Sequence, residues 1–298
     1  MFKRILFATD FSDCAAHAQI YAFAFAARLT AELHIAHVVD TTFTTFAGAY
    51  GLEVDVKHHI EEMKQQARQR LTGIADLARG AGLPKAQTHL LVGMPPESIM
   101  GEAQRLDSDL LIIGKHGRSG FDLFLGSNAQ RIVRYATSPV LAVTAHGREF
   151  VHGSGEFTLK RVLCPCDLSP LSEQAVTLAA KICRNFRAEL TLLHVIDDRF
   201  DRALLESNIA VPAADEIRQR ATTALDAIAE KLQDVKVNVA VVAGTPAKQI
   251  DEVAHDRSIQ LIVMSTHGRG GLSRALLGST AEKVVRTTLV PTMTIRPT

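Results

Sequence analysis

The sequence has no excess of charge of either sign: 33 Lys and Arg stand against 32 Asp and Glu, a net charge of +1 over 298 residues. Without a basic or acidic field to gather phosphates or headgroups, nucleic acid and membrane surfaces are not expected partners. Long apolar runs are also missing. The longest, from Ile20 to Ala27, falls well short of the roughly 20 residues a membrane-spanning helix needs. Cysteine is scarce, and Cys14, Cys164, Cys166 and Cys183 have no framework spacing, which fits a reducing compartment. Met1 leads into the strand-like Lys3-Arg4-Ile5-Leu6-Phe7 instead of the apolar run and small-residue cleavage site of a signal peptide. These absences place the expected chain in the cytoplasm.

What is present is enough to fold. Apolar residues make up 47% and charged residues 22%, a globular composition, and the length suits about two domains. The chain also repeats itself. Lys3, Arg4, Leu6, Asp10, Ser12, Glu32, Leu33, His37, Val38 and Asp40 recur without a gap, 157 residues later, as Lys160, Arg161, Leu163, Asp167, Ser169, Glu189, Leu190, His194, Val195 and Asp197. Gly93-Met94-Pro95 and His116-Gly117-Arg118 return as Gly244-Thr245-Pro246 and His267-Gly268-Arg269 at an offset of 151, and Gly126-Ser127 returns as Gly278-Ser279 at 152. A period this long is that of whole domains, not of a solenoid. The Gly-rich stretch from Ala145 to Phe157 reads as a linker, so the expected domains are residues 1–146 and 156–298.

Inside each copy, short Val/Ile/Leu-rich runs alternate with segments of helical period. In the first copy the expected strands are Arg4 to Thr9, Glu32 to Val39, Ala86 to Val92, Leu110 to Gly114 and Val140 to Val143. In the second they are Val162 to Cys166, Glu189 to Ile196, Val237 to Val242, Leu261 to Ser265 and Thr292 to Ile295. Continuous apolar runs, not alternating ones, are the pattern of a parallel sheet covered on both faces. The expected fold is α/β: two tandem doubly wound domains, each a five-stranded parallel sheet with helices on both faces. Ser12 and Ser169 are placed to cap the first helices, and Pro95 and Pro246 to open the third.

In such sheets, ligands bind beyond the carboxyl ends of the strands where strand order reverses. Asp10 and Asp167 follow the first strands. Gly114-Lys115-His116-Gly117-Arg118-Ser119-Gly120 and Ser265-Thr266-His267-Gly268-Arg269-Gly270-Gly271 follow the fourth and lead to Gly126-Ser127 and Gly278-Ser279 at a helix start. Glycines permit close backbone approach, and free amides at a helix N-terminus attract anions, so these loops read as phosphate cradles. The Walker loop is absent, because Lys115 is followed by His116, and no Gly-x-Gly follows either first strand.

These residues resemble the universal stress proteins in their tandem, two-domain form. The likeness rests on the first-strand Asp, the His-Val pair near the end of the second strand and the Gly-x-Pro before the third helix. It rests also on the glycine signature of the nucleotide-binding branch: Gly, two residues, Gly, nine residues, Gly-Ser or Gly-Thr. The resemblance implies an adenine nucleotide, ATP or AMP, with or without Mg²⁺. Asp10 and Val39 in the first copy, and Asp167 and Ile196 in the second, would surround adenine and ribose. Gly114, Gly117, Gly126, Ser127 and Asn128, then Ser265, Gly268, Gly278, Ser279 and Thr280, would hold ribose and phosphates. Each copy departs once from the signature. Gly117 to Gly126 encloses eight residues instead of nine, and Ser265 replaces the first Gly. A lost residue shifts every later amide, whereas a side chain can turn away, so the second site is expected to bind more tightly.

The remaining candidates have plain structural readings. His116 and His267 read as turn residues, since no nucleophile or carboxylate pair stands beside them. Asp10 and Asp167 read as caps or ribose contacts, a single carboxylate being a poor metal cage. His37 and His194, inside apolar strands, read as structural. Cys164 and Cys166 share one side of a strand and read as buried, against a metal or redox role. Phe43, Phe46 and Tyr50 either close over a ligand or pack their loop. The expected function is a sensor or regulatory module, with a slow ATPase and a scaffold of decayed sites as rivals. Duplicated domains are further expected to pair as an intramolecular pseudo-dimer, with the fifth strands as edges, and a homodimer remains an option.

Overall fold

The computed structural model describes residues 1–42, 56–117, 125–145, 150–151, 157–197, 214–267 and 277–296. The chain divides into two compact units: Met1–Ala145 with Val151–Phe157, and His146–Phe150 with Thr158–Thr298.

The first unit runs β1 (Arg4–Ala8), α1 (Asp13–Leu29), β2 (Glu32–Asp40), α2 (Val56–Gly80), β3 (Gln87–Gly93), α3 (Pro95–Arg105), β4 (Leu110–Gly114), α4 (Ser127–Tyr135) and β5 (Val140–Val143). Its strands lie in the order β3-β2-β1-β4-β5, all pairs parallel. Parallel neighbours need crossovers, and the helices supply them. α1 lies on β1, β4 and β5, α2 and α3 on β2 and β3, and α4 on α3 and β5. Covered on both faces, the central strands bury consecutive residues: Ile5, Leu6, Phe7, Leu110, Leu111 and Ile112 are fully enclosed.

The second unit repeats this as β6 (Arg161–Pro165), α5 (Pro170–Phe186), β7 (Glu189–Ile196), α6 (Ala214–Glu230), β8 (Val237–Ala243), α7 (Pro246–Asp256), β9 (Leu261–Ser265), α8 (Ser279–Thr287) and β10 (Thr292–Ile295). Its order, β8-β7-β6-β9-β10, is the same in each position.

Local chemistry explains the helix ends. Ser12 Oγ accepts the Ala15 amide at 3.2 Å and Ser169 Oγ accepts the Ser172 amide at 3.3 Å, so both first helices start at a serine cap. α3, α5 and α7 open on proline, whose missing N–H costs nothing in a first turn. Gly93 and Gly244 both stand at φ 140°, where a side chain is strained, and this explains the glycine of each Gly-x-Pro turn.

Candidate functional site

In each unit the chain passes from β1 to β2 on one side and returns, after β3, to β4 on the other. The carboxyl ends of β1 and β4 therefore flank a crevice at the point of strand-order reversal. In the second unit β6 and β9 play the same parts.

On the first strand's side a tight turn fixes the acidic residue. Asp10 Oδ1 accepts from the Ser12 amide at 3.0 Å and from Ser12 Oγ at 2.6 Å. Asp167 Oδ1 accepts from the Ser169 amide and hydroxyl at the same two distances. The residue inside each turn, Phe11 or Leu168, is held at φ 63° or 61°. A bulky side chain in the left-handed region costs on the order of 1 kcal/mol, so its recurrence in both copies marks a constrained geometry. Both histidines near the second strand's end serve this turn. His37 Nδ1 lies 2.8 Å from the Thr9 carbonyl, and His194 Nδ1 lies 2.8 Å from the Cys166 carbonyl. A carbonyl only accepts, so each Nδ1 carries the proton. In the first unit the Phe11 ring stacks on His37, 4.2 Å between centroids, and the Arg70 guanidinium lies 5.3 Å from the Phe11 centroid.

On the fourth strand's side, the chain beyond Gly114 is tied to β5 by Lys115 N–H to Val143 O at 2.7 Å, and beyond Ser265 to β10 by Thr266 N–H to Ile295 O at 2.9 Å. Gly114 is pressed against the start of α1, where an added Cβ would stand 3.1 Å from Ala15 N and from Cys14 Sγ. Ser265 turns its side chain onto its own loop. Its Oγ donates to His267 O at 2.6 Å and accepts the His267 amide at 3.1 Å. The loops close alike: Gly126 N–H donates to Lys115 O at 2.8 Å, and Gly278 N–H donates to Thr266 O at 2.8 Å.

That equality bears on one expectation. The shorter first loop was expected to displace Ser127, yet the glycine before each helix is anchored to the same carbonyl at the same distance.

Each anchored glycine is the N-cap of a nine-residue helix, with ψ 147° at Gly126 and 135° at Gly278, and neither cap has a side chain to offer. The amides of Ser127, Asn128 and Ala129, and of Ser279, Thr280 and Ala281, have no acceptor among the described residues. Such an N-terminus is half of an anion site. The other half meets it in the first unit. Gly117 faces Asp10 so closely that a Cβ there would lie 2.8 Å from Asp10 Oδ2. Strand-end carboxylate and glycine loop are thus in direct contact. Gly268, the matching residue, lies outside the described residues, as do Phe43, Phe46 and Tyr50.

Other sequence candidates take these places. Val39 is buried and pairs with Val92, while Ile196 is half-buried and its carbonyl accepts the Gly244 amide at 2.9 Å. Ser127 and Asn128 are exposed at the start of α4, and Ser279 is exposed and Thr280 half-buried at the start of α8. His267 Nδ1 lies 2.9 Å from Thr266 Oγ1, and burial pushes its imidazole below the ordinary histidine value, with the Arg296 charge adding to the effect. Cys164 and Cys166 are buried, and desolvation pushes both thiols up. Among the described residues no cluster of three His, Cys, Asp or Glu is arranged to hold a metal ion, and no helix is long and apolar enough to cross a membrane.

The model of the universal stress protein family matches twice, over residues 1–144 and 158–296. The chain belongs to the universal stress protein family. It carries two family domains in tandem. A universal stress protein A homolog of Coxiella burnetii is 31% identical over 142 residues, covering 48% of this chain and 96% of that protein. A universal stress protein of Synechocystis is 24% identical over 312 residues, spanning 99% of this chain and all of that one. The crystal structure of a universal stress protein from Archaeoglobus fulgidus superposes with a TM-score of 0.72 at 22% identity, over 99% of this chain and 96% of that one, which establishes the shared fold.

Three features of the family domain here were not foreseen from sequence. Ser12 and Ser169 were expected as caps, but each also clamps the adjacent Asp. The Asp-x-Ser repeat in both copies was the available signal. The burial of Lys115, 1% exposed, and the contact of Gly117 with Asp10 had none, since both depend on residues far apart in the chain.

Proposed function

We propose that each unit binds an adenine nucleotide, ATP or AMP, and that the chain acts as a cytoplasmic sensor or regulatory module of the stress response. One observation carries the reading. In both units a glycine, held by an amide-to-carbonyl bond of 2.8 Å, presents a helix start whose first amides have no acceptor among the described residues, across the crevice from a serine-clamped Asp. This donor set fits a phosphate: amides at a helix start beside Ser and Thr hydroxyls, with the helix dipole favouring negative charge. Gly126, Ser127 and Asn128, and Gly278, Ser279 and Thr280, would hold the phosphates. Asp10 and Asp167, acceptors by nature, suit ribose hydroxyls better than phosphate. Val39 and Ile196 stand at the strand ends where the base would lie, with Gly114, Gly117, Ser265 and Gly268 along the loop.

The test is mass spectrometry of ligand released from the purified chain, followed by calorimetry with ATP and AMP, each with and without Mg²⁺. Ser127→Ala and Gly126→Val are expected to remove the first site, and Ser279→Ala and Gly278→Val the second, each leaving about one nucleotide per chain. Loss of both sites through one unit's variants alone, or no binding heat with either nucleotide, refutes the proposal. Steady release of phosphate from ATP and Mg²⁺ would identify an ATPase instead.

A further inference from the structure

The first unit contains a line of ionisable side chains that the nucleotide reading does not use and that the second unit lacks. His34 of β2 and His89 of β3 are linked, His34 Nδ1 to His89 Nε2 at 3.0 Å. His89 Nδ1 lies 2.8 Å from Glu102 Oε1 on α3, and Glu102 takes two bonds from Arg105, at 2.7 and 2.8 Å. At the other end, His34 Nε2 is buried without a hydrogen-bond partner, 3.9 Å from Glu32 Oε2. His34 and Glu102 are only 4% and 6% exposed.

Hydrogen-bond bookkeeping assigns every proton. The Glu102 carboxylate, beside a guanidinium, only accepts, so His89 Nδ1 carries hydrogen and donates to it. His89 Nε2 is then the acceptor, which makes His34 Nδ1 the donor and leaves His34 Nε2 as a bare lone pair facing Glu32. One proton fits that position, and a movement of about 1 Å would bring N–H and carboxylate to ordinary bonding distance. A second proton has no place. It would have to take His89 Nε2, destroying the N–H···N bond and setting two imidazolium rings against each other in a buried position.

At the corresponding places the second unit has Thr191, Ala240, Val253 and Asp256. Strand register confirms the match: His34 pairs with Leu6 and Gln87 as Thr191 pairs with Leu163 and Asn238, and Ala36 pairs with His89 as Leu193 pairs with Ala240. The same corner is thus built without the relay, so the relay is not a requirement of the fold.

We propose that Glu102, His89 and His34 form an acid-sensing lock on the corner of β2, β3 and α3 in the first unit, closed while the imidazoles hold their two hydrogen bonds and released on acidification. The charged groups facing it are Glu32 from β2, Arg4 from β1, and Glu102 and Arg105 from α3. The carboxylates favour the first proton and the two arginines oppose it. Burial, the largest influence, pushes both imidazoles below the ordinary histidine value. Unfolded histidines take protons near pH 6.5, and these take them only at lower pH. The stability the lock contributes is therefore full above about pH 6.5 and is lost as pH falls below it toward the folded values.

The test uses the full chain. Nitrogen-15 spectra of the imidazoles should show hydrogen on Nδ1 of both rings at pH 7.5, with His34 Nε2 gaining a proton before His89 changes. Hydrogen exchange, corrected for intrinsic rates, should rise in β2 and β3 between pH 7.5 and 5.5, by at most about tenfold for each histidine kept unprotonated, with β7 and β8 as internal control. Transplanting the second unit's residues, as His34→Thr, His89→Ala and Glu102→Val together, should abolish that difference while leaving the fold intact. Independent titration of both rings near pH 6.5, equal acid response of the two units, or an unchanged response in the triple variant would each overturn the proposal. The spectra of the native chain decide the matter even if the triple variant does not fold.

Discussion

Replacing Gly117 by alanine tests whether the strand-end carboxylate and the glycine loop are the single unit the geometry makes them. The new Cβ would lie 2.8 Å from Asp10 Oδ2, closer than side chains tolerate. Asp10 cannot swing away freely, because Oδ1 is held by Ser12 N and Oγ at 3.0 and 2.6 Å. Giving up both bonds costs about 2 kcal/mol, taking about 1 kcal/mol for each in a half-exposed turn. Against this, an alanine stabilises by about 0.4–1 kcal/mol through the unfolded state, since Gly117 is not at positive φ. The expected net loss is about 1 to 1.5 kcal/mol. In an Asp10→Ala background the clash is gone, and the same change should be neutral or slightly stabilising, which gives a coupling energy of about 2 kcal/mol. Urea unfolding of the four chains of this cycle, followed by circular dichroism, measures it. Equal effects of Gly117→Ala in both backgrounds would show that Asp10 is not what requires glycine there.

Gly93→Ala and Gly244→Ala, both at φ 140°, should each destabilise by about 1–3 kcal/mol, whereas Gly73→Ala, in the α2 interior with open space around it, should stabilise by roughly 0.5–1 kcal/mol. Thermal melts of the three variants check this contrast. Ser12→Ala and Ser169→Ala should cost about 1 kcal/mol each as lost caps, and more where the Asp clamp is lost as well; denaturant titration would refute the shared role if either variant is neutral. All four cysteines are free and buried, and desolvation pushes the Cys183 thiol up to about 12. A chromogenic disulfide reagent at pH 8 should therefore find no reactive thiol until denaturant is added, and rapid labelling of the native chain would contradict the burial.

Much of this was legible in the chain before any coordinates. Leu110 to Gly114, Val140 to Val143, Glu189 to Ile196, Leu261 to Ser265 and Thr292 to Ile295 are strands with the bounds the sequence suggests, because a strand enclosed on both faces reads as a nearly continuous apolar run. β2 runs one residue further, to Asp40, and β3 is shifted by one residue, to Gln87–Gly93, where the ladder continues past the apolar run. The duplication, the serine caps, the proline openings and the strand-end placement of Asp10 and Asp167 are all local patterns, and local patterns survive without coordinates. Tertiary structure alone decided the rest. Phe11 and Leu168 are driven left-handed by an Asp clamp that their own side chains do not favour. Gly126 and Gly278 reach the same anchor from loops of different length. His34 and His89, 55 residues apart, become hydrogen-bonded neighbours because β2 and β3 pair in one register and no other. Side-chain periodicity reports which residues are buried, but backbone hydrogen bonds and packing contacts between distant segments report which residues meet, and those are set only once the chain has closed on itself.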